Sequence, residues 1–211
     1  MKRLLLFGLL ITFLVFLTAC GNDSTEDPPT ESDGATDETT EDDSTSEDST
    51  EGASTNNDGE ILLVTVELMN SDGDAVGTAE LTEEDNGVAV ALQVDNLEQG
   101  IHGIHFHQEG MCETPDFKSA GDHFNPESTM HGMDNPDGPH AGDLPNLEVS
   151  EDGTASQEFL AENVTLEIGE EDSLLKEGGT ALVIHAGEDD QKTDPSGDSG
   201  DRIACGVIAA K

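Results

Sequence analysis

Six of the seven histidines in this 211-residue chain fall in a pattern suited to holding metal: His105 and His107, then His123, His131, His140 and His185, with Asp143 among them. Imidazole and carboxylate donors bind divalent first-row metals. In an extended strand alternate side chains share a face, so His105 and His107 can grip one ion together while Phe106 turns into a core. The group from His123 to Asp143 offers three imidazoles and one carboxylate, a set that suits zinc held tetrahedrally in a closed, structural site. The two halves predict two metals.

The elements that position these ligands follow from the residues between them. Asn125-Pro126, His131-Gly132, Asn135-Pro136 and Asp137-Gly138-Pro139 mark an irregular loop, and a long loop without secondary structure is uncommon unless it is functional or disordered. This one is expected to be ordered by its metal. His185 ends a short apolar run, Thr180-Ala181-Leu182-Val183-Ile184, which reads as a buried strand flanked by glycines. His102 lies on the opposite strand face from His105 and is assigned a structural, hydrogen-bonding role.

From Glu60 onward the chain is long enough for one domain with its own core. Period-two patterning and turn signals predict eight strands, at 61–69, 75–81, 88–94, 101–107, 147–150, 154–160, 180–186 and 203–209. Asp152-Gly153 is the clearest hairpin turn. No segment reads as a helix, so the fold class is all-β, an antiparallel barrel or sandwich with long metal-binding loops.

Several separated motifs then occur in order: Gly103-Ile104-His105-Phe106-His107, Ser119-Ala120-Gly121-Asp122-His123-Phe124-Asn125-Pro126, His131-Gly132, His140-Ala141-Gly142-Asp143-Leu144, and Arg202-Ile203-Ala204-Cys205-Gly206-Val207-Ile208. Together they resemble copper,zinc superoxide dismutase over residues 60–211. That resemblance implies an eight-stranded Greek-key barrel. It implies copper on His105, His107, His123 and His185, and zinc on His123, His131, His140 and Asp143, with His123 serving both metals. The implied reaction converts superoxide to oxygen and hydrogen peroxide by Cu(II)/Cu(I) cycling, zinc being structural and His123 a proton store. Arg202 would attract and orient the small anion, helped by Lys192. Asp189 would link ligands of the two metals and fix their rings, and Cys112 and Cys205 would form a disulfide.

The amino terminus carries Lys2-Arg3, an apolar run and Leu17-Thr18-Ala19-Cys20. This describes a secretory signal over 1–19, too short to span a bilayer comfortably. Its ending resembles a lipobox, which implies a lipid on Cys20. With Cys20 acylated, the odd count of three cysteines leaves an even pair, and export permits its oxidation. Residues 21–59 are rich in Asp, Glu, Ser and Thr and contain no Lys, Arg or aromatic residue. Such a stretch cannot bury enough apolar surface to fold, so 20–59 is expected to be a lipidated tether holding the domain to the outer face of a bacterial cytoplasmic membrane.

No nucleic acid is expected as a partner of so acidic a chain, with its net charge of −41. The domain from residue 60 on, with thirty-four acids against five Lys and Arg, a net charge of about −29, opposes the approach of an anionic substrate. A cationic mouth at Arg202 is the expected remedy. The competing reading is a non-enzymatic copper/zinc-binding lipoprotein, which would use the same ligands without turnover. The strand faces leave monomer and homodimer equally open.

Overall fold

The computed structural model describes residues 62–210. The expected leader, Cys20 and the acidic tether lie outside the described residues. Within them run β1 (Leu63–Asn70), β2 (Ala75–Glu84), β3 (Gly87–Val94), β4 (Gly100–His102), β5 (Ile104–His107), β6 (Leu147–Val149), β7 (Ala155–Ala161), β8 (Thr180–His185) and β9 (Arg202–Ile208). One 3-10 turn, Lys118–Ala120, interrupts the loop after β5.

Alternation drives the sheet. In β3, Val88, Val90, Leu92 and Val94 are buried while their neighbours stay partly or fully exposed. Each such aliphatic side chain contributes roughly 1.5–3 kcal/mol relative to exposure. Seven strands form one antiparallel sheet in the order β5-β8-β9-β1-β2-β3-β7, and β4 and β6 form a separate pair. β8 is buried along its whole length between β5 and β9, as its unbroken apolar run predicts.

One expectation is corrected. The single strand read over 101–107 is two strands, so the described residues hold nine strands rather than eight. The break falls at Gly103, after which the chain passes from the β4–β6 pair to the main sheet. A Cβ at Gly103 would lie 2.9 Å from Ser199 Cβ and 3.2 Å from both Asp189 Cβ and His105 Cε1. Only glycine lets the chain change sheets while pressed against the loop that carries Asp189. The Gly103 N–H donates to Gly187 O at 2.8 Å, and the His185 N–H donates to Gly103 O at 2.8 Å. The sheet change therefore locks the start of β5 to the end of β8, where two of the candidate ligands stand.

Candidate metal centre

His105 and His107 leave β5 on one face, and Phe106 between them is wholly buried in the main core. Register fixes β5 against β8, with His105 opposite Val183 and Phe106 opposite Leu182. The irregular loop folds back onto the free edge of β5. The Phe106 N–H donates to Gly142 O at 2.9 Å and the Phe124 N–H to Phe106 O at 2.8 Å. His105 thereby pairs with Asp143 and His107 with His123 across isolated bridges. Ordering the loop along one strand edge is what gathers residues so distant in sequence.

The outcome is two adjoining donor sets, each with its ligand atoms within 4.8 Å of one another: His105, His107, His123 and His185, and then His123, His131, His140 and Asp143. All seven residues are buried. Every ligand anticipated from the sequence is thus gathered here, with His123 common to both sets. In the first set His107 Nε2 and His185 Nε2 face each other at 3.4 Å. In the second, Asp143 Oδ1 lies 3.0 Å from His123 Nδ1, 3.1 Å from His131 Nδ1 and 3.4 Å from His140 Nδ1. The other Asp143 oxygen accepts the Gly132 and His140 N–H groups, both at 2.9 Å.

Among the described residues, the buried side-chain atoms without a hydrogen-bond partner are His105 Nδ1, His123 Nε2 and His140 Nδ1. Leaving a buried polar atom unpaired costs about 1–3 kcal/mol, and these three belong to the two donor sets. A metal ion on each side gives every one of them a partner. Four imidazoles suit a redox-active copper, and three imidazoles with a carboxylate suit zinc, so the donors fit both ions.

The far side of four of the rings, those of His105, His107, His131 and His185, is held in the way that suits a metal-binding histidine. Asp189 donates no proton but accepts two, from His105 Nε2 at 2.7 Å and His131 Nε2 at 3.0 Å, and so joins the two sets. His107 Nδ1 donates to Gly121 O at 3.0 Å, and His185 Nδ1 to Gly200 O at 3.2 Å. Burial lowers the pKa of His123 and of His185 to about 3, keeping both rings neutral. Burial also acts to lower His131, but the Asp143 and Asp189 carboxylates outweigh it and hold that ring at about 9. Burial would raise Asp143, yet its bonds from His123, His131 and His140 push it far below the usual carboxylate range.

Arg202 opens β9, with Nη1 donating to Phe117 O at 2.7 Å and Nη2 to Gly121 O at 2.6 Å. Phe117 adopts a left-handed conformation (φ 52°) that begins the 3-10 turn between these two carbonyls. The guanidinium is therefore fixed beside the loop that leads into His123. Lys192 does not join it but forms an ion pair with Asp134 at 3.5 Å, on the irregular loop. The Cys112–Cys205 disulfide ties the loop after β5 to β9. His102 fills the structural role expected of it, its ring nitrogens 2.8 Å from His185 O and 2.8 Å from Glu98 O.

Some supports were not foreseen. Asn146 holds the Asp189 backbone from both sides, Nδ2 donating to Asp189 O at 2.8 Å and Oδ1 accepting the Asp189 N–H at 2.9 Å. The carbonyl of Gly121 serves His107 and Arg202 alike, and that of Phe117 serves Arg202. A lone asparagine after a proline has no spacing signal, and a backbone oxygen leaves no trace in side-chain identity.

A sequence model of the family described as copper/zinc superoxide dismutase (SODC) matches residues 75–208. One copper–zinc superoxide dismutase of Aquifex aeolicus is 50% identical over 143 residues, covering 67% of this chain and 84% of that protein. A copper–zinc superoxide dismutase of Caulobacter vibrioides is 43% identical over 146 residues, covering 68% of this chain and 84% of that one. Among solved structures, a double mutant of a superoxide dismutase-like protein from Bacillus subtilis, with two residues changed to histidine, superposes with a TM-score of 0.68 at 44% identity, covering 69% of this chain and 97% of that one.

Proposed function

Because the chain belongs to the copper/zinc superoxide dismutase family, we propose that His105, His107, His123 and His185 hold its copper and that His123, His131, His140 and Asp143 hold its zinc. The protein is a superoxide dismutase, an oxidoreductase that converts superoxide to oxygen and hydrogen peroxide with copper and zinc as cofactors. Copper supplies the one-electron couple, and zinc adds fixed charge and ligand geometry. The observation that carries the ligand assignment is the unpaired Nε2 of His123, buried where the two donor sets meet. With Nδ1 turned to the Asp143 side, Nε2 is the atom at which a proton can be kept for the departing peroxide.

Arg202 attracts and orients superoxide. The charge of −41 repels it, so a cation held still at the entrance matters more here than on a neutral protein. For Arg202→Ala, kcat/KM at low salt is expected to fall about tenfold, equivalent to ~1.4 kcal/mol. One charge contact near a protein surface is worth roughly 1–4 kcal/mol. The deficit should shrink as salt is raised, because the Debye length falls from about 10 Å at 0.1 M to 3 Å at 1 M. Copper content should match the parent. Unchanged rates at all salt concentrations would remove Arg202 from substrate capture.

We further propose that the enzyme is an exported lipoprotein, cleaved before Cys20 and acylated there, with 20–59 as a solvated acidic tether at the outer face of the bacterial cytoplasmic membrane and 60–211 as the catalytic domain. The support is the basic, apolar, Leu17-Thr18-Ala19-Cys20 leader and the presence of a disulfide, which suits an oxidising compartment. In detergent phase partitioning of cells making the full chain, the parent should enter the detergent phase and Cys20→Ser should not. Equal partitioning of the two proteins would refute the lipid anchor.

A further inference from the structure

The segment from Gly187 to Ser199 lies against both donor sets, and Asp189 within it reaches only one of the two zinc-side histidines other than His123. That histidine is His131, through Nε2 at 3.0 Å. The other, His140, has Nδ1 turned towards Asp143 at 3.4 Å and unpaired. If Nδ1 serves the metal, the ring proton must sit on Nε2. A metal-bound histidine almost always donates that outer N–H to a carboxylate, a carbonyl or water. The acid facing His140 Nε2 is Asp194, with Oδ1 at 3.9 Å. The same oxygen accepts the His131 backbone N–H at 2.9 Å.

Asp194 therefore touches both histidines, one through its backbone and one across its ring. The segment around it is held independently. Gln191 N donates to Asp189 Oδ1 at 2.7 Å, and Asp190 accepts the Lys192 and Thr193 N–H groups at 2.9 and 2.8 Å. Gly132, next to His131, sits with φ +102° directly against the Gln191 carbonyl, an approach that a side chain would block. Asp134 N donates to Gln191 O at 3.1 Å. The carboxylate of Asp194 is thus presented to the irregular loop by a braced turn.

We propose that Asp194 is a zinc-positioning residue: its carboxylate staples His131 and orients His140 from outside, completing for the zinc side what Asp189 does between the two sides. This rests on the zinc assignment to His123, His131, His140 and Asp143. At 3.9 Å the His140 contact is longer than a direct hydrogen bond and acts as a charge facing the ring's outer nitrogen. Asp194 is not a catalytic residue, since it touches neither substrate nor metal.

Asp194→Asn keeps an oxygen for the His131 N–H and removes the charge opposite His140. Zinc affinity, measured on the full chain by competition with a chromophoric chelator, is expected to fall ten- to a hundredfold. Glu188→Gln, an exposed charge change in the same segment, should leave it unaltered, and copper affinity should stay within about twofold of the parent. Cobalt placed in the zinc site should show a shifted visible spectrum in Asp194→Asn and not in Glu188→Gln. Zinc affinity equal to the parent's overturns the proposal. So does an equal loss of both metals, which would make Asp194 an ordinary loop staple. A parent that takes up no zinc at all would instead sink the ligand assignment beneath it.

Discussion

Superoxide consumption by the copper- and zinc-loaded His105→Ala protein is expected to drop to the uncatalysed background. His105 supplies one of the four imidazoles of the first donor set, and it does so from a fully buried position on β5. Alanine also strips Asp189 of one of its two histidine partners, leaving a buried carboxylate oxygen unpaired at a cost of about 1–3 kcal/mol or more. The second donor set does not include His105, so zinc should remain. Metal analysis beside a rate assay separates the two effects. Full activity in the variant would refute the copper assignment, and an inactive but fully loaded parent would favour a storage role for the whole site.

The second large effect is expected from Cys112→Ser combined with Cys205→Ser. The two cysteines are 93 residues apart and bonded. Closing a loop of that length stabilises the fold by roughly 4–5 kcal/mol on the chain-entropy account, a large share of the 5–15 kcal/mol typical of a domain. The bond also holds the segment whose carbonyls, at Phe117 and Gly121, fix Arg202. Urea unfolding of the metal-free double variant should show that loss in its free energy. With metals restored, turnover should fall further than metal content does, because the arginine's supports are loosened. A double variant within about 1 kcal/mol of the parent would show that the irregular loop is held by its backbone bonds to β5 alone.

The residues of the two donor sets were legible in the sequence because each carried a positional signal. His105 and His107 are spaced as a strand spaces one face, His185 ends an apolar run, and the three between are set in a loop punctuated by proline and glycine. Asp189 was legible through the family resemblance, and the structure separates it from its neighbour: Asp189 is buried on two imidazoles, whereas Asp190 is exposed and bonds its own turn. The break at Gly103 was not read from the sequence, although Ile101 and Ile104, three residues apart, cannot share one strand face, because a single glycine does not reveal which loop presses on it. Lys192 was misplaced for a related reason. Placing it at the cationic mouth beside Arg202 overlooked that its side chain turns to Asp134. Contacts made by backbone oxygens, such as Gly121 O and Gly200 O, depend on the closed fold and have no residue type to announce them.

The oxygen of Gly121 accepts two protons, one from Arg202 Nη2 and one from His107 Nδ1. Two donors compete for the electron density of a single acceptor, so each weakens its hold on the other. The guanidinium thereby limits how far the His107 N–H is polarised, and with it how strongly Nε2 of that ring can donate to an ion. Removing the guanidinium would leave Gly121 O to His107 alone, so an exchange at Arg202 should be felt in the electronic character of that imidazole as well.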